Sequence, residues 1–181
     1  MAKNSKSAAS VKNALIMGGG TFFLSLVFSL LSEVSFRLVP LLVSGILLLV
    51  VIAIGVFFDM VGLASVTAEP KVLHAKASQK VPGSREAVEI VKNSARFASV
   101  CNDVIGDVCG TLSGALGAAI VIEILRSEPN INGLALGVLV TSMVASLTVG
   151  GKAYAKGIAI SKGTTIIIFV GKVLHKFKAY R

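Results

Sequence analysis

Apolar positions along the chain fall into four long runs that are separated by polar segments. The runs cover residues 14–31, 38–58, 97–125 and 133–149, and the second run contains no charged residue. A helix of about 20 apolar residues is long enough to cross the hydrocarbon core of a bilayer. Because lipid offers no hydrogen-bond partners to the backbone, such runs cross it as helices. The pattern therefore predicts an all-α membrane protein with four transmembrane helices.

Two segments outside these runs have the pattern of short amphipathic helices. Residues 69–95 are polar and basic, and Pro82-Gly83-Ser84 forms a turn in the middle. We predict two juxtamembrane helices at about 70–96 that lie against the cytoplasmic membrane surface, with a solvated loop as the alternative. A further interfacial helix is predicted at about 155–178, because one of its faces is apolar. That face comprises Ile166, Phe169, Val170, Val173, Leu174 and Phe177.

Composition and the positions of the charges support a membrane location. The 181-residue chain is 54% hydrophobic and 15% charged, which is too apolar for a soluble domain of this size. Its net charge of +9 comes from Lys and Arg that cluster in residues 3–12, 71–96 and 152–181. These clusters alternate with the apolar runs, as the positive-inside rule describes for cytoplasmic segments. We therefore expect a cell-membrane protein with cytoplasmic N- and C-termini, and no nucleic-acid partner.

Carboxylates inside the apolar runs are the candidates for chemistry. Asp59 follows the second run, and Asn102, Asp103 and Asp107 lie in the third. An Asp at the centre of a spanning helix costs about 2.5 to 3.5 kcal/mol, so each one needs a reason to be there. Asp103 and Asp107 share a helix face, and their oxygens suit a hard cation such as Mg²⁺ or Ca²⁺. The alternative is that Asp103 reaches the cytosol while Asp107 is protonated or paired with a lysine.

Regularly spaced glycines indicate close helix packing. Gly106, Gly110 and Gly114 recur every four residues and therefore share one face of the third predicted span. Small residues at this spacing allow two helices to approach closely in a membrane, so we expect a homodimer through this face. Gly150-Gly151 ends the fourth run. This pair is expected to break the helix or to leave carbonyl oxygens free for coordination.

Three stretches of the chain resemble the transmembrane domain of the CNNM/CorC magnesium transporters. The strongest likeness is Arg96-Phe97 followed by Asn102-Asp103, which is similar to the Arg-Phe to Asn-Asn entry into one of the family's spans. Residues 57–62 are loosely similar to the Phe-Phe-Ser-x-x-Glu-like end of the family's first span. Residues 151–156 stand where the family has a closing Gly-Glu-x-x-Pro-Lys motif.

The resemblance implies a domain organisation and a function. Residues 1–37 would hold the cytosolic N-terminus and an additional first transmembrane helix, and 38–181 would form the family-like transmembrane domain. The implied function is a transporter, or transporter-like protein, for a divalent cation, with Mg²⁺ as substrate and no other cofactor. The alternative is a non-transporting regulatory or partner-binding module with a degenerate cation site. Neither is an enzyme. Since the family's regulatory CBS pair does not follow, a separate cytosolic partner could supply that role.

The resemblance also assigns positions to the cation site. Family members hold Mg²⁺ with hydroxyls, asparagines, a glycine carbonyl and the closing glutamate. The matching positions here are Gly55, Asp59, Asn102, Asp103, Gly106 and Lys152. Lys152 replaces the glutamate, so its ammonium group would act either as a tethered substitute for the cation or within a site of altered selectivity. The predicted metal site comprises Asp59, Asn102, Asp103, Asp107, Gly150 and Gly151.

Overall fold

A computed structural model describes residues 15–23, 25–27 and 40–179, with side chains up to residue 177. All regular elements in these ranges are helices. Three of them are long and apolar enough to cross a membrane: Leu41–Thr67, Ser94–Ser127 and Gly133–Phe177. The first apolar run is described only as part of a shorter apolar helix, Leu15–Val27, and its remaining residues lie outside the described ranges. The fourth span therefore stays a prediction.

The helices follow one another through short connections. In chain order they are α1 (Leu41–Thr67), α2 (Pro70–Ser78), α3 (Ser84–Lys92), α4 (Ser94–Ser99), a π segment (Val100–Gly106), α5 (Asp107–Ser127) and α6 (Gly133–Ala179). Pro40 is the N-cap residue of α1, two residues after the apolar run begins, and its missing N–H costs no hydrogen bond there. The short helices α2 and α3 occupy the polar segment between the first two long ones, as its sequence suggested.

Helix α1 is the central element, since it packs against α5, the π segment and α6. Two clusters of buried apolar side chains lie along it. One cluster comprises Leu48, Val51, Ile52, Leu116 and Val144. The other comprises Ala64, Ala68, Leu73, Ala87, Ile90, Ala159, Ile167 and Ile168. Asp59 lies on α1 between the two clusters, so the polar site is enclosed by apolar packing on both sides.

The second long helix is not α-helical throughout, which the sequence did not predict. Helices α4 and α5 are joined by the π segment, and the three together form the 34-residue span Ser94–Ser127. A π turn holds one extra residue and so rotates the side chains that follow it. Here it brings the Asn102 side chain against Gly62 of α1, where a Cβ on Gly62 would collide with the Asn102 amide.

The expected break at Gly150-Gly151 does not occur. Helix α6 continues through both glycines, and its interruption lies instead at Lys162, whose backbone is non-helical (φ −127°, ψ 21°). Glycine inside a helix costs only about 1 kcal/mol relative to alanine. At Gly151 close packing offsets that cost, since a Cβ there would lie 3.0 Å from Cγ2 of Val56. The carbonyls of Gly150 and Gly151 therefore belong to a continuous helix.

Beyond Lys162, the second helical segment of α6 packs against α2 and α3. Gly83 adopts a left-handed conformation (φ +81°), and its turn is in contact with the backbone of Gly171. We call this contact of α2, α3 and the second half of α6 the juxtamembrane junction. The face of α6 that packs here contains Gly163, Ile167, Ile168 and Gly171, which are buried. The predicted apolar stripe is displaced from it, because Phe169, Val173, Leu174 and Phe177 are exposed.

Candidate cation site

A buried ion pair joins the first and last long helices. Asp59 of α1 is only 6% exposed. Its Oδ1 lies 3.9 Å from Nζ of Lys152 in α6, and 23% of the Lys152 side chain is exposed. This distance is longer than the 2.7 to 2.9 Å typical of charge-assisted hydrogen bonds, so the two charges attract each other without a tight hydrogen bond. Lys152 therefore neutralises Asp59 without saturating its hydrogen-bonding capacity.

Two buried oxygens at this site have no hydrogen-bond donor. Within the described part of the chain, Oδ2 of Asp59 and Oδ1 of Asn102 are both enclosed and unpartnered. A buried acceptor without a donor costs about 1 to 3 kcal/mol, and more when it is charged. Native structures rarely retain such groups unless water, an ion or a function accounts for them. The site is therefore able to accept a donor or a cation.

Glycines bring the three helices close enough to form the site. A Cβ on Gly106 would lie 3.6 Å from Oδ1 of Asp59 and 3.7 Å from Nζ of Lys152. On α1, a Cβ on Gly55 would lie 2.8 Å from Cβ of Cys109. At Gly55 even a methyl group would push the helices apart, whereas at Gly106 only a side chain larger than that of alanine would displace the ion pair. The Asp59 carboxylate and the Lys152 ammonium group thus meet beside Gly106, which has no side chain.

The structure brings some of the predicted residues together and separates others. Asp59, Gly106 and Lys152 meet at one point, and Asn102 lies against Gly62, about one helical turn along α1 from Asp59. We call these four residues the polar centre. Asp103 and Asp107 are exposed on the surface of the single chain, and so is Gly150. Across the described ranges, no three His, Cys, Asp or Glu side chains come together as a metal site would require. The polar centre would thus offer a cation one carboxylate and one amide oxygen.

Comparison with known proteins adds no relative. No family model, curated protein or solved structure matches this chain. The interpretation of the polar centre therefore depends on its own residues and geometry.

Gly62 and Cys109 adjoin the polar centre, and the sequence analysis did not select them. For Gly62 a signal was present: Gly55, Asp59 and Gly62 follow one another at i, i+4 and i+7, which places them on one face of α1. A carboxylate flanked by two glycines on a single face indicates close approach by another helix. Cys109 carried no such signal, because a lone cysteine in an apolar helix most often acts as a small apolar residue.

Proposed function

We propose that the protein is a membrane transporter, or transporter-like protein, for a divalent cation, with Mg²⁺ as the first candidate. The observation that carries the proposal is the pair of buried, unpartnered oxygens, Oδ2 of Asp59 and Oδ1 of Asn102. Oxygen ligands of this type suit a hard cation, and Mg²⁺ commonly retains waters that complete its coordination. The resemblance to the CNNM/CorC transmembrane domain places the same residues at its cation site.

A cation at the polar centre would compete with Lys152. The ammonium group already neutralises Asp59, so a second positive charge beside it would be repelled. Lysine has a long flexible stem, and the side chain of Lys152 is partly exposed, which gives it room to withdraw. Cation binding would then require the ammonium group to leave Asp59, and the ion pair would re-form when the cation departs.

A second candidate function follows from the same ion pair. If Lys152 stays beside Asp59, the ammonium group is a permanent substitute for the cation, and the protein is a non-transporting regulatory or partner-binding module. The observation that favours this alternative is the ion pair itself, between Nζ of Lys152 and Oδ1 of Asp59. Separating a buried ion pair leaves an uncompensated charge and is strongly destabilising, which would keep the lysine in place.

Purified full-length protein in liposomes can distinguish the two functions. Mg²⁺ entry is followed with a trapped fluorescent indicator, and Mg²⁺ binding is measured by calorimetry on the protein in nanodiscs. The first function predicts entry that is lost in Asp59→Asn and Asn102→Ala, while Asn93→Ala, an exposed asparagine outside the polar centre, serves as the matched control. The second predicts no entry, and binding only in Lys152→Glu. Absence of binding in both the unmodified protein and Lys152→Glu would contradict both functions.

The proposed arrangement in the membrane also follows from the sequence. We propose four spans in the cell membrane, cytoplasmic N- and C-termini and a homodimer. A Cβ on Gly110 or Gly114 would meet no atom within 4 Å, so both glycines are available for contact with a second copy. Gly106, in contrast, is buried at the polar centre. Single cysteines introduced at Lys80 and Glu128, in a variant without Cys101 and Cys109, test the topology. Labelling of position 80 from outside intact cells would overturn it.

A further inference from the structure

A groove lies between the juxtamembrane junction and the beginning of the second long helix. Its volume is about 740 Å³. Helix α3, the first turns of the span Ser94–Ser127 and the end of α6 form its walls. It is separate from the polar centre, and none of its lining residues belongs to that site. The lining residues are Glu86, Glu89, Ile90, Asn93, Arg96, Phe97, Val100, Leu174 and Phe177.

The groove changes from polar to apolar along the chain. Glu89 and Asn93 come first, Arg96 follows in the opening turn of a span, and Val100 lies about one helical turn deeper. The first turn of a transmembrane helix lies at the level of the lipid headgroups, where polar and apolar groups meet. With the span Ser94–Ser127 crossing a bilayer, the polar end of the groove would lie at the level of the headgroups and the apolar end at the level of the acyl chains.

The apolar wall is left uncovered by the protein. Leu174 is 43% exposed, Val100 is 39% exposed and Phe177 is 74% exposed. Exposed aliphatic and aromatic side chains that adjoin a groove at this depth have lipid chains as their natural contact. For Leu174 and Phe177 the exposure is confined to one face of α6, since the opposite face is buried in the juxtamembrane junction.

The charged end of the groove carries both a negative and a positive side chain, Glu89 and Arg96. Glu89 and Arg96 are exposed, and neither forms an ion pair with another residue of the described ranges. The neighbouring Glu86 is engaged differently, since its Oε1 lies 2.8 Å from Nδ1 of His175 and so joins α3 to the end of α6. The Glu86 carboxylate is thus engaged in holding α3 to α6, while the carboxylate of Glu89 and the guanidinium group of Arg96 remain available to a ligand.

We propose that this groove binds a zwitterionic phospholipid with a primary amine in its headgroup, such as phosphatidylethanolamine. Arg96 would hold the phosphate through its planar pair of donors, and Glu89 would accept hydrogen bonds from the ammonium group. The acyl chains would cover Phe97, Leu174 and Phe177. An anionic headgroup would meet the Glu89 carboxylate unfavourably, and a choline headgroup has no N–H to donate. The inference does not depend on cation transport.

The test uses the full-length protein in nanodiscs that contain equal amounts of phosphatidylethanolamine, phosphatidylcholine and phosphatidylglycerol. Lipid that remains bound after transfer to detergent is counted by native mass spectrometry. We expect phosphatidylethanolamine to be retained about tenfold over phosphatidylcholine, the ratio that follows from about 1.4 kcal/mol of preference. Glu89→Gln should remove this preference, and Arg96→Gln should reduce retention of all three lipids. Lys92→Gln, on the same helix but outside the groove, is the matched control.

A second measurement needs no variant and so does not depend on how each one folds. Mono-, di- and trimethylation of the ethanolamine headgroup removes its N–H donors stepwise, and retention by the unmodified protein should fall with each step. Equal retention across this series would overturn the proposal, because the amine would then play no part. Preferential retention of phosphatidylglycerol would also overturn it, since it would indicate an anionic-lipid site formed by Arg96 alone.

Discussion

The juxtamembrane junction and the face of α5 that carries Gly110 and Gly114 use glycine in opposite ways. At the junction, a Cβ on Gly171 would lie 3.1 Å from the backbone nitrogen of Ala87, so two backbones are already in contact. On α5, a Cβ on Gly110 or Gly114 would meet no atom within 4 Å. In the apolar 18-residue stretch of α6 that is long enough to cross a membrane, only 6% of the residues are buried inside the single chain. The single chain is therefore closely packed at the junction and leaves these outer helix faces uncovered.

The largest expected effect is at the junction. Gly171→Leu would force a side chain into the backbone of Gly83 and Ala87, where no flexible group can move aside. Overpacking typically costs about 1 to 3 kcal/mol, and we expect the upper end of this range or more. The measurement is thermal unfolding of the purified protein in detergent, followed by circular dichroism. Gly114→Leu is the matched control and should unfold close to the unmodified protein. Equal loss in both variants would show that the open face is also packed in the folded protein.

The second prediction compares the buried carboxylate of Asp59 with the exposed carboxylate of Asp107. Asp59→Ala leaves the Lys152 ammonium group unpaired beside apolar packing, which we expect to cost about 2 to 4 kcal/mol. Asp107→Ala removes an exposed carboxylate and should cost nothing measurable. A double variant, Asp59→Leu with Lys152→Met, should recover most of the loss, because replacing a buried ion pair by apolar groups is often neutral or stabilising. If the double variant were no more stable than Asp59→Ala, the loss would come from packing rather than from the unpaired charge.

The sequence predicted the long helices and the residues of the polar centre better than it predicted their geometry. Uninterrupted apolar runs identified the helices because a bilayer imposes a minimum length on any span. The resemblance assigned Asp59, Asn102 and Lys152 to one site. In the structure Asp59 pairs with Lys152, and Asn102 lies against Gly62, about one helical turn along α1 from Asp59. Their binding of a cation stays a prediction. The proximity of these residues depends on contacts between distant parts of the chain, which periodicity alone does not contain.

The features that the sequence did not predict arise from tertiary packing. The 3.6-residue periodicity of apolar positions does not indicate where a π segment inserts its extra residue. The rotation of Asn102 towards α1 was therefore not predicted. Gly150-Gly151 was expected to end a helix because glycine is a poor helix former. Contact between Gly151 and Val56 favours the continuous helix instead. Asp103 was expected to meet Asp59, yet it is exposed, and Asp59 pairs with Lys152.

A third prediction measures how closely the polar centre is packed. Gly106→Ala would place a methyl group 3.6 Å from Oδ1 of Asp59 and 3.7 Å from Nζ of Lys152, which is ordinary van der Waals contact. We expect a change in unfolding free energy of less than about 0.5 kcal/mol. Gly106→Leu would displace the ion pair and should cost about 1 to 3 kcal/mol. Denaturant titration of both variants provides the comparison, and a large loss in Gly106→Ala would mean that the helices lie closer than the structure places them.

The smallest expected effect tests whether the junction depends on its surface contact or on its backbone contact. His175 and Glu86 join α6 to α3 with 2.8 Å between Nδ1 and Oε1, but 54% of the His175 side chain is exposed. The Glu86 side chain is only 16% exposed, but water still competes for the exposed imidazole, so we expect a contribution within the range of about 0.2 to 1 kcal/mol that exposed pairs show. His175→Ala should therefore lower the unfolding temperature far less than Gly171→Leu, which alters the buried contact with Gly83. Hydrogen exchange of the amides in α3 checks the same point, because protection should be retained in His175→Ala and lost in Gly171→Leu. Equal loss of protection in both variants would show that the surface contact, rather than the glycine backbone contact, holds the junction closed.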